Sequence, residues 1–159
     1  MKIGFYAGSF DPFTNGHLEV LKKASFLFDK VVVGLGSNPD KKSRFNDEQM
    51  KTAIEKVLES ENILNAEVVI YKGLTVDAAK KYECTFLIRG IRNGIDYDYE
   101  ENLANINEEV SGLDTIFVRA GKFGFVSSSM VYELFKNGKD ISKYVSKEVL
   151  EIMQNNIKI

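Results

Sequence analysis

The chain of 159 residues contains no tryptophan, one cysteine, one histidine and two prolines. A lone cysteine, Cys84, excludes an internal disulfide and suits a reducing compartment. With His17 as the only histidine, there is no Ser–His–Asp or Cys–His arrangement and no second imidazole to act as a general base. No apolar run approaches the roughly 20 residues that a membrane-spanning helix needs. The apolar start, Met1 to Ala7, is stopped by Asp11 and Pro12, and no small-residue cleavage site follows. It reads as a buried strand and not as a signal peptide, so a cytoplasmic protein without membrane association is expected. Repeats, low-complexity tracts and linkers are absent, and the length fits one domain over residues 1–159 with a single core. Neither charge dominates: 21 basic and 23 acidic residues leave a formal charge of −2. A nucleic-acid partner, which calls for a basic surface, is not expected.

The charge that is present is local. Basic residues gather at Lys41, Lys42 and Arg44, at Arg89 and Arg92, and at Arg119 and Lys122, while acidic residues concentrate from Asp96 to Glu101. Basic spots on a near-neutral chain suit a small anionic ligand.

Strand and helix patterns alternate. Strands are predicted over Lys2 to Ala7, Val31 to Gly36, Glu67 to Tyr71, Cys84 to Ile88 and Asp114 to Arg119. Helices are predicted over Gly16 to Phe28, from Asn46 to about Ser60, and over Leu74 to Tyr82, Asp96 to Val110, Ser127 to Lys136 and Lys147 to Gln154. Asn46 with Gln49 resembles a capping box. Leu103, Ile106 and Val110 form a stripe expected in the core. The unbroken β-branched run from Val31 marks a strand covered on both faces. The order implies an α/β fold: a Rossmann-like, doubly wound, five-stranded parallel sheet with helices on both faces. Ligands in such sheets bind beyond the carboxyl ends of the strands, so the loops there carry the candidates.

The first loop holds Ser9, Phe10, Thr14, Gly16 and His17. Thr-x-Gly-His at a helix start offers hydroxyls, free N–H groups and a positive dipole end to a phosphate, although Thr14 could serve only as a cap. The last loop ends in Ser127, Ser128 and Ser129, where one serine would suffice for capping and three suit an anion. Arg89 stands at the end of a buried strand, where a guanidinium needs an anion: a ligand is favoured, with a salt bridge to the acidic stretch that follows as the plain alternative. Arg92 suits a salt bridge to the acidic stretch that follows. Lys41 to Arg44 alone would be a solvated loop, and gains interest from lying on the same sheet edge. The helix start from Asp96 to Glu101, with Tyr97, Tyr99 and Glu100, could supply a carboxylate to a ribose hydroxyl or a metal-bound water, or is simply acidic because a helix N-terminus favours it.

Together, Tyr-x-Gly-Ser-Phe-Asp-Pro-x-Thr-Asn-Gly-His, Gly-Leu-Thr-Val-Asp, Ile-Arg-Gly-Ile-Arg, Asp-Tyr-x-Tyr-Glu and Val-Ser-Ser-Ser resemble the nucleotidyltransferase superfamily. Within it, they are most similar to the bacterial phosphopantetheine adenylyltransferases, over nearly the whole chain. The resemblance implies transfer of AMP from ATP to 4′-phosphopantetheine in coenzyme A biosynthesis, with Mg²⁺ as cofactor and a homohexameric assembly. It implies that Ser9, Phe10, His17, Gly90, Ile91, Arg92, Glu100, Phe123, Gly124, Phe125, Val126, Ser127, Ser128 and Ser129 contact ATP. Ser9, Lys41, Thr75 and Arg89 would hold the acceptor, and His17 would stabilise the transition state. Two departures stand out: Tyr132 occupies a position that is commonly basic, and Phe123 one that is often tryptophan. Sister enzymes acting on nicotinate mononucleotide or transferring a cytidylyl group share the Thr-x-Gly-His element. A non-catalytic nucleotide sensor would keep the fold with no need of both Gly16-His17 and the triple serine.

Overall fold

The computed structural model describes residues 1–156. Five strands, β1 (Ile3–Gly8), β2 (Lys30–Gly36), β3 (Ala66–Tyr71), β4 (Phe86–Ile91) and β5 (Thr115–Arg119), form one parallel sheet in the order β3-β2-β1-β4-β5. The helices between and after them are α1 (Asn15–Leu27), α2 (Asp47–Ser60), α3 (Thr75–Lys81), α4 (Gly94–Ser111), α5 (Ser128–Lys136) and α6 (Lys147–Asn155). No described helix is long and apolar enough to cross a membrane.

Side-chain alternation along the strands builds two cores. Tyr6, Val31, Val33, Leu35, Val68 and Ile88 point to one face. There they pack against Leu21 and Ala24 of α1, Ile54 and Val57 of α2, Val131 of α5 and Val149 and Met153 of α6. Phe5, Ala7, Val32 and Leu87 point to the other and meet Val76, Ala78 and Ala79 of α3. The second core is the smaller. Cys84 is buried in it, and burial pushes its thiol pKa up to about 11, so it behaves as a packed apolar group.

Element order agrees with the sequence reading, and three local expectations need correction. Strand β4 begins at Phe86 and runs on through Arg89 and Gly90 to Ile91, paired with β5 as far as Ile91↔Arg119. The charge and the glycine made it look finished at Ile88. Asn46 caps α2 by accepting from the N–H of Gln49, but the Gln49 side chain accepts from Asn156 Nδ2, just after α6, so the capping box is half made. Ile106 and Val110 are not core: they are 59% and 63% exposed, and Leu103 is half-buried. Glu100 is the only buried residue of α4.

Candidate active site

The sheet order reverses direction between β1 and β4, and their ladder ends at Tyr6↔Ile88. Beyond that point the strands part, and a cavity of about 330 Å³ opens at their carboxyl ends. Such a switch point is where a sheet of this kind receives its ligand. Ala7 to Phe10 form one wall, Gly16, His17 and Val20 of α1 another, and Arg89, Gly90, Arg92, Asp96 and Glu100 a third. Ala120 and Val126 to Ser129 close it.

The first wall is shaped by packing. Phe10 adopts a positive φ of 45° and turns its ring over Gly8, where an added Cβ would lie 2.7 Å from the Phe10 Cε1 atom. Phe10 also meets Tyr6, Phe13 and His17 edge-on, with ring centres 5.0–5.4 Å apart. It is 2% exposed, so it supports the wall more than it projects from it.

His17 is the third residue of α1 and takes the part that glutamate or glutamine usually plays in a capping box. Thr14 Oγ1 accepts from the His17 backbone N–H at 3.3 Å, and the Thr14 backbone N–H donates to His17 Nδ1 at 3.0 Å. An Nδ1 that accepts carries no proton. The imidazole is therefore the Nε2–H tautomer, and that N–H is the polar group His17 has left for a ligand. Burial, with Arg92 and Arg89 adding to it, lowers the pKa of His17 to about 3. At neutral pH the ring is an uncharged, oriented donor.

As the sole histidine, its ring proton signals need no assignment. We expect the His17 Hε1 resonance to show no titration between pH 8 and 5 in a one-dimensional proton spectrum of the free protein; a midpoint near 6.5 would remove the tautomer argument. Because the folded pKa lies below the unfolded value, this group's contribution to stability is complete above pH 6.5 and declines as pH falls toward 3.

Arg89 and Glu100 form a bidentate pair. Nε donates to Oε2 at 2.8 Å and Nη2 to Oε1 at 2.7 Å, while Nη1 donates to the Ala7 carbonyl at 2.8 Å. Burial opposes the Arg89 charge, but the hydrogen bond and negative charge of Glu100 overcome it and raise the pKa. Glu100 thus meets Arg89 directly: the salt bridge to the acidic stretch forms at Arg89 as well as at Arg92, where the favoured expectation for Arg89 was a ligand. Arg92 pairs with Asp96 at 2.9 Å, as the acidic stretch implied.

The three serine hydroxyls are all engaged. Ser127 Oγ caps α5 by accepting from Met130 N–H, Ser128 Oγ donates to the Pro12 carbonyl, and Ser129 Oγ accepts from Arg44 Nη2. What α5 offers the cavity is the backbone N–H groups of its first turn, the part of a helix that binds phosphate.

Other predicted residues lie elsewhere. Thr75 lines a second cavity, described below, and shares a 2.9 Å hydrogen bond with the Tyr71 hydroxyl. Lys41 is exposed in the loop after β2 and lines neither cavity. Ile91, Phe123, Gly124 and Phe125 do not reach the first cavity either. Phe123 ends a 3-10 turn against α1, where a Cβ on Gly16 would lie 3.3 Å from its carbonyl oxygen. Tyr6, Val20 and Ala120 line the cavity without having been singled out, and nothing but their place at strand ends or on the inner side of α1 marks them. Among the described residues, no three His, Cys, Asp or Glu side chains gather as a metal-ligating set.

The cytidylyltransferase-like family model matches residues 5–134. A phosphopantetheine adenylyltransferase from Leuconostoc mesenteroides is 38% identical over 159 residues, which cover 99% of this chain and 97% of that one. One from Streptococcus pneumoniae is 42% identical over 160 residues, covering 99% and 98%. The chain belongs to the phosphopantetheine adenylyltransferase family. The fold is shared more widely. A Plasmodium falciparum nicotinic acid mononucleotide adenylyltransferase complexed with NaAD superposes with a TM-score of 0.72 at 16% identity, covering 97% of this chain and 95% of that one. At Tyr132, the Arg44 guanidinium lies 4.9 Å from the centre of the ring.

Proposed function

We propose that the chain transfers AMP from ATP to 4′-phosphopantetheine, releasing pyrophosphate and forming dephospho-coenzyme A. One observation carries the choice of acceptor. A second cavity of about 350 Å³ adjoins the first and shares Ala7 and Arg89 with it. Its other walls are largely apolar: Phe5, Leu74, Val76 and Leu87, with Leu103, Ile106 and Val110 of α4. Thr75 and Asn107 add two polar groups. An acceptor with a phosphate at one end and a long, weakly polar arm fits this pair, its phosphate at Arg89 and its arm between α3 and α4. A compact nucleotide acceptor would leave the apolar part empty.

The acceptor phosphate has its second pKa near 6 and is mostly a dianion at neutral pH. It attacks the α-phosphorus of ATP without a general base; the new O–P bond forms as the bond to the β-phosphate oxygen breaks, and pyrophosphate leaves. The chain then has to position two anions and offset their repulsion. In this reading the His17 Nε2–H donates to a developing charge on the transferred phosphoryl group. Arg92, the α5 N-terminus and the backbone around Ser9 and Gly90 hold the nucleotide, and Arg89 holds the acceptor. For Ile91, Phe123, Gly124, Phe125 and Lys41, which line neither cavity, a ligand contact rests on the resemblance alone. Mg²⁺ is assigned to no residue here. It would arrive on the triphosphate, as suits an ion that is usually held by few protein groups and by substrate phosphates.

Self-association is part of the proposal. Ile95 and Tyr99 of α4, 84% and 67% exposed and outside both cavities, offer an apolar surface that suits burial against other copies. A homohexamer in the cytoplasm remains the expected form.

The deciding experiment is a coupled pyrophosphate assay with ATP and a panel of acceptors: 4′-phosphopantetheine, nicotinate mononucleotide and, with CTP, glycerol 3-phosphate. Release with the first alone supports the reading. Preferential release with either other acceptor would replace it, and nucleotide binding without release would point to a sensor.

A further inference from the structure

Arg44 sits in the loop between β2 and α2 and is exposed, yet it is held at several points. Its backbone N–H donates to Asp11 Oδ2 at 2.8 Å, and the N–H of Phe45 donates to Asp11 Oδ1 at 3.0 Å. Its Nη1 donates to the Asp11 carbonyl at 3.0 Å and its Nη2 to Ser129 Oγ at 3.2 Å, while the guanidinium stacks on Tyr132. An exposed arginine ordinarily keeps its rotamer freedom; stacking and two directed hydrogen bonds remove much of it.

The charge so fixed has no counter-charge. Arg89 and Arg92 pair with Glu100 and Asp96, but among the described residues no carboxylate oxygen lies within 4.0 Å of the Arg44 guanidinium. The Asp11 carboxylate is spent on two backbone N–H groups. The cation stands beside the positive end of α5, an arrangement that is unfavourable until an anion joins both. Two of the five guanidinium N–H groups are engaged, which leaves the others for that anion. Ser129, its link to the cavity, lines the first cavity and not the adjoining apolar one.

We propose that Arg44 binds the outer phosphates of ATP, those that depart as pyrophosphate, with Asp11 and Tyr132 as positioning residues. This rests on the first cavity being the nucleotide site. The transferred phosphoryl group must lie near His17 and the acceptor near Arg89, so a cation held on Ser129 just outside the cavity lining stands where the far end of the triphosphate emerges. Tyr132 then contributes a platform for a cation supplied from another loop.

Calorimetric titration of ATP, AMP and inorganic pyrophosphate tests this directly. For Arg44→Ala we expect ATP and pyrophosphate to bind about tenfold or more weakly, the effect of losing a charge-assisted hydrogen bond, and AMP to change less than twofold. Arg44→Lys should fall between, since a point charge lacks the stacking and the fork. Tyr132→Ala should weaken ATP binding, and Tyr132→Phe, which keeps the ring, should restore most of it. Equal loss of ATP and AMP, or Arg44→Ala binding ATP within twofold of wild type, overturns the proposal. Wild-type ATP binding that depends on Arg44, with no transfer to 4′-phosphopantetheine, would refute the function and leave this assignment standing. Wild-type protein that binds neither nucleotide overturns both.

Discussion

Replacing His17 with alanine is expected to lower kcat by at least ~10²-fold, the scale of losing one well-placed donor to developing charge. The expectation follows from how the ring is held. Thr14 N–H occupies Nδ1, the rings of Phe10 and Phe13 pack against the imidazole, and the remaining N–H belongs to a cavity wall. Such a donor does not have to reorient as charge moves onto the phosphoryl oxygens. With its pKa at about 3, it also changes no charge across the working pH range. Loss of rate below pH 6 should therefore follow protonation of the acceptor phosphate, and His17→Ala should leave that inflection in place. The substitution also removes a cap acceptor, at about 1 kcal/mol of stability, so thermal denaturation belongs beside the kinetics. A folded His17→Ala enzyme that keeps kcat within threefold of wild type at saturating substrates would take His17 out of the reaction.

Much of the fold was legible because the strands and helices differ in period. Val31 to Gly36 can be little else than a strand covered on both sides, and Leu18, Leu21 and Ala24 mark the inner face of α1. The cavity was legible in part, since the sheet rule names the loops and the loops hold the unusual residues. What could not be read is which polar groups satisfy one another. For Arg89 and Glu100, a salt bridge was one reading and a ligand-facing arginine the favoured one. Their pairing depends on how α4 crosses the end of β4, which no spacing encodes. The serines looked like three free hydroxyls, yet each is bonded to a partner in the chain. Periodicity also failed at Leu103, Ile106 and Val110, because a stripe facing a ligand groove or another copy has the same spacing as one facing the core. Lys41 shows the limit for loops: sequence tells which sheet edge a loop leaves, not where its tip goes.

The Arg89–Glu100 pair should be the most sensitive point for stability at the site. Removing one member of a buried pair strands the other, at about 3–5 kcal/mol for full burial. Glu100 is nearly buried, but the Arg89 side chain keeps 30% exposure, so water offsets part of its loss. For Glu100→Gln we expect about 2 kcal/mol of destabilisation, read as a fall in Tm of roughly 4–8 °C for a chain of this size. Freed from its fork, Arg89 should also turn from the cavity junction and raise the KM for the acceptor about tenfold, with the KM for ATP less affected. The double variant Arg89→Met, Glu100→Met separates the two effects. An apolar pair of similar volume can restore stability, since no charge is left unpaired, but it cannot bind a phosphate. Recovery of Tm with the acceptor KM still high is the expected result. A double variant that recovers both would mean that the pair serves the fold alone, and a Tm for Glu100→Gln within 1 °C of wild type would mean that solvent already screens the charge.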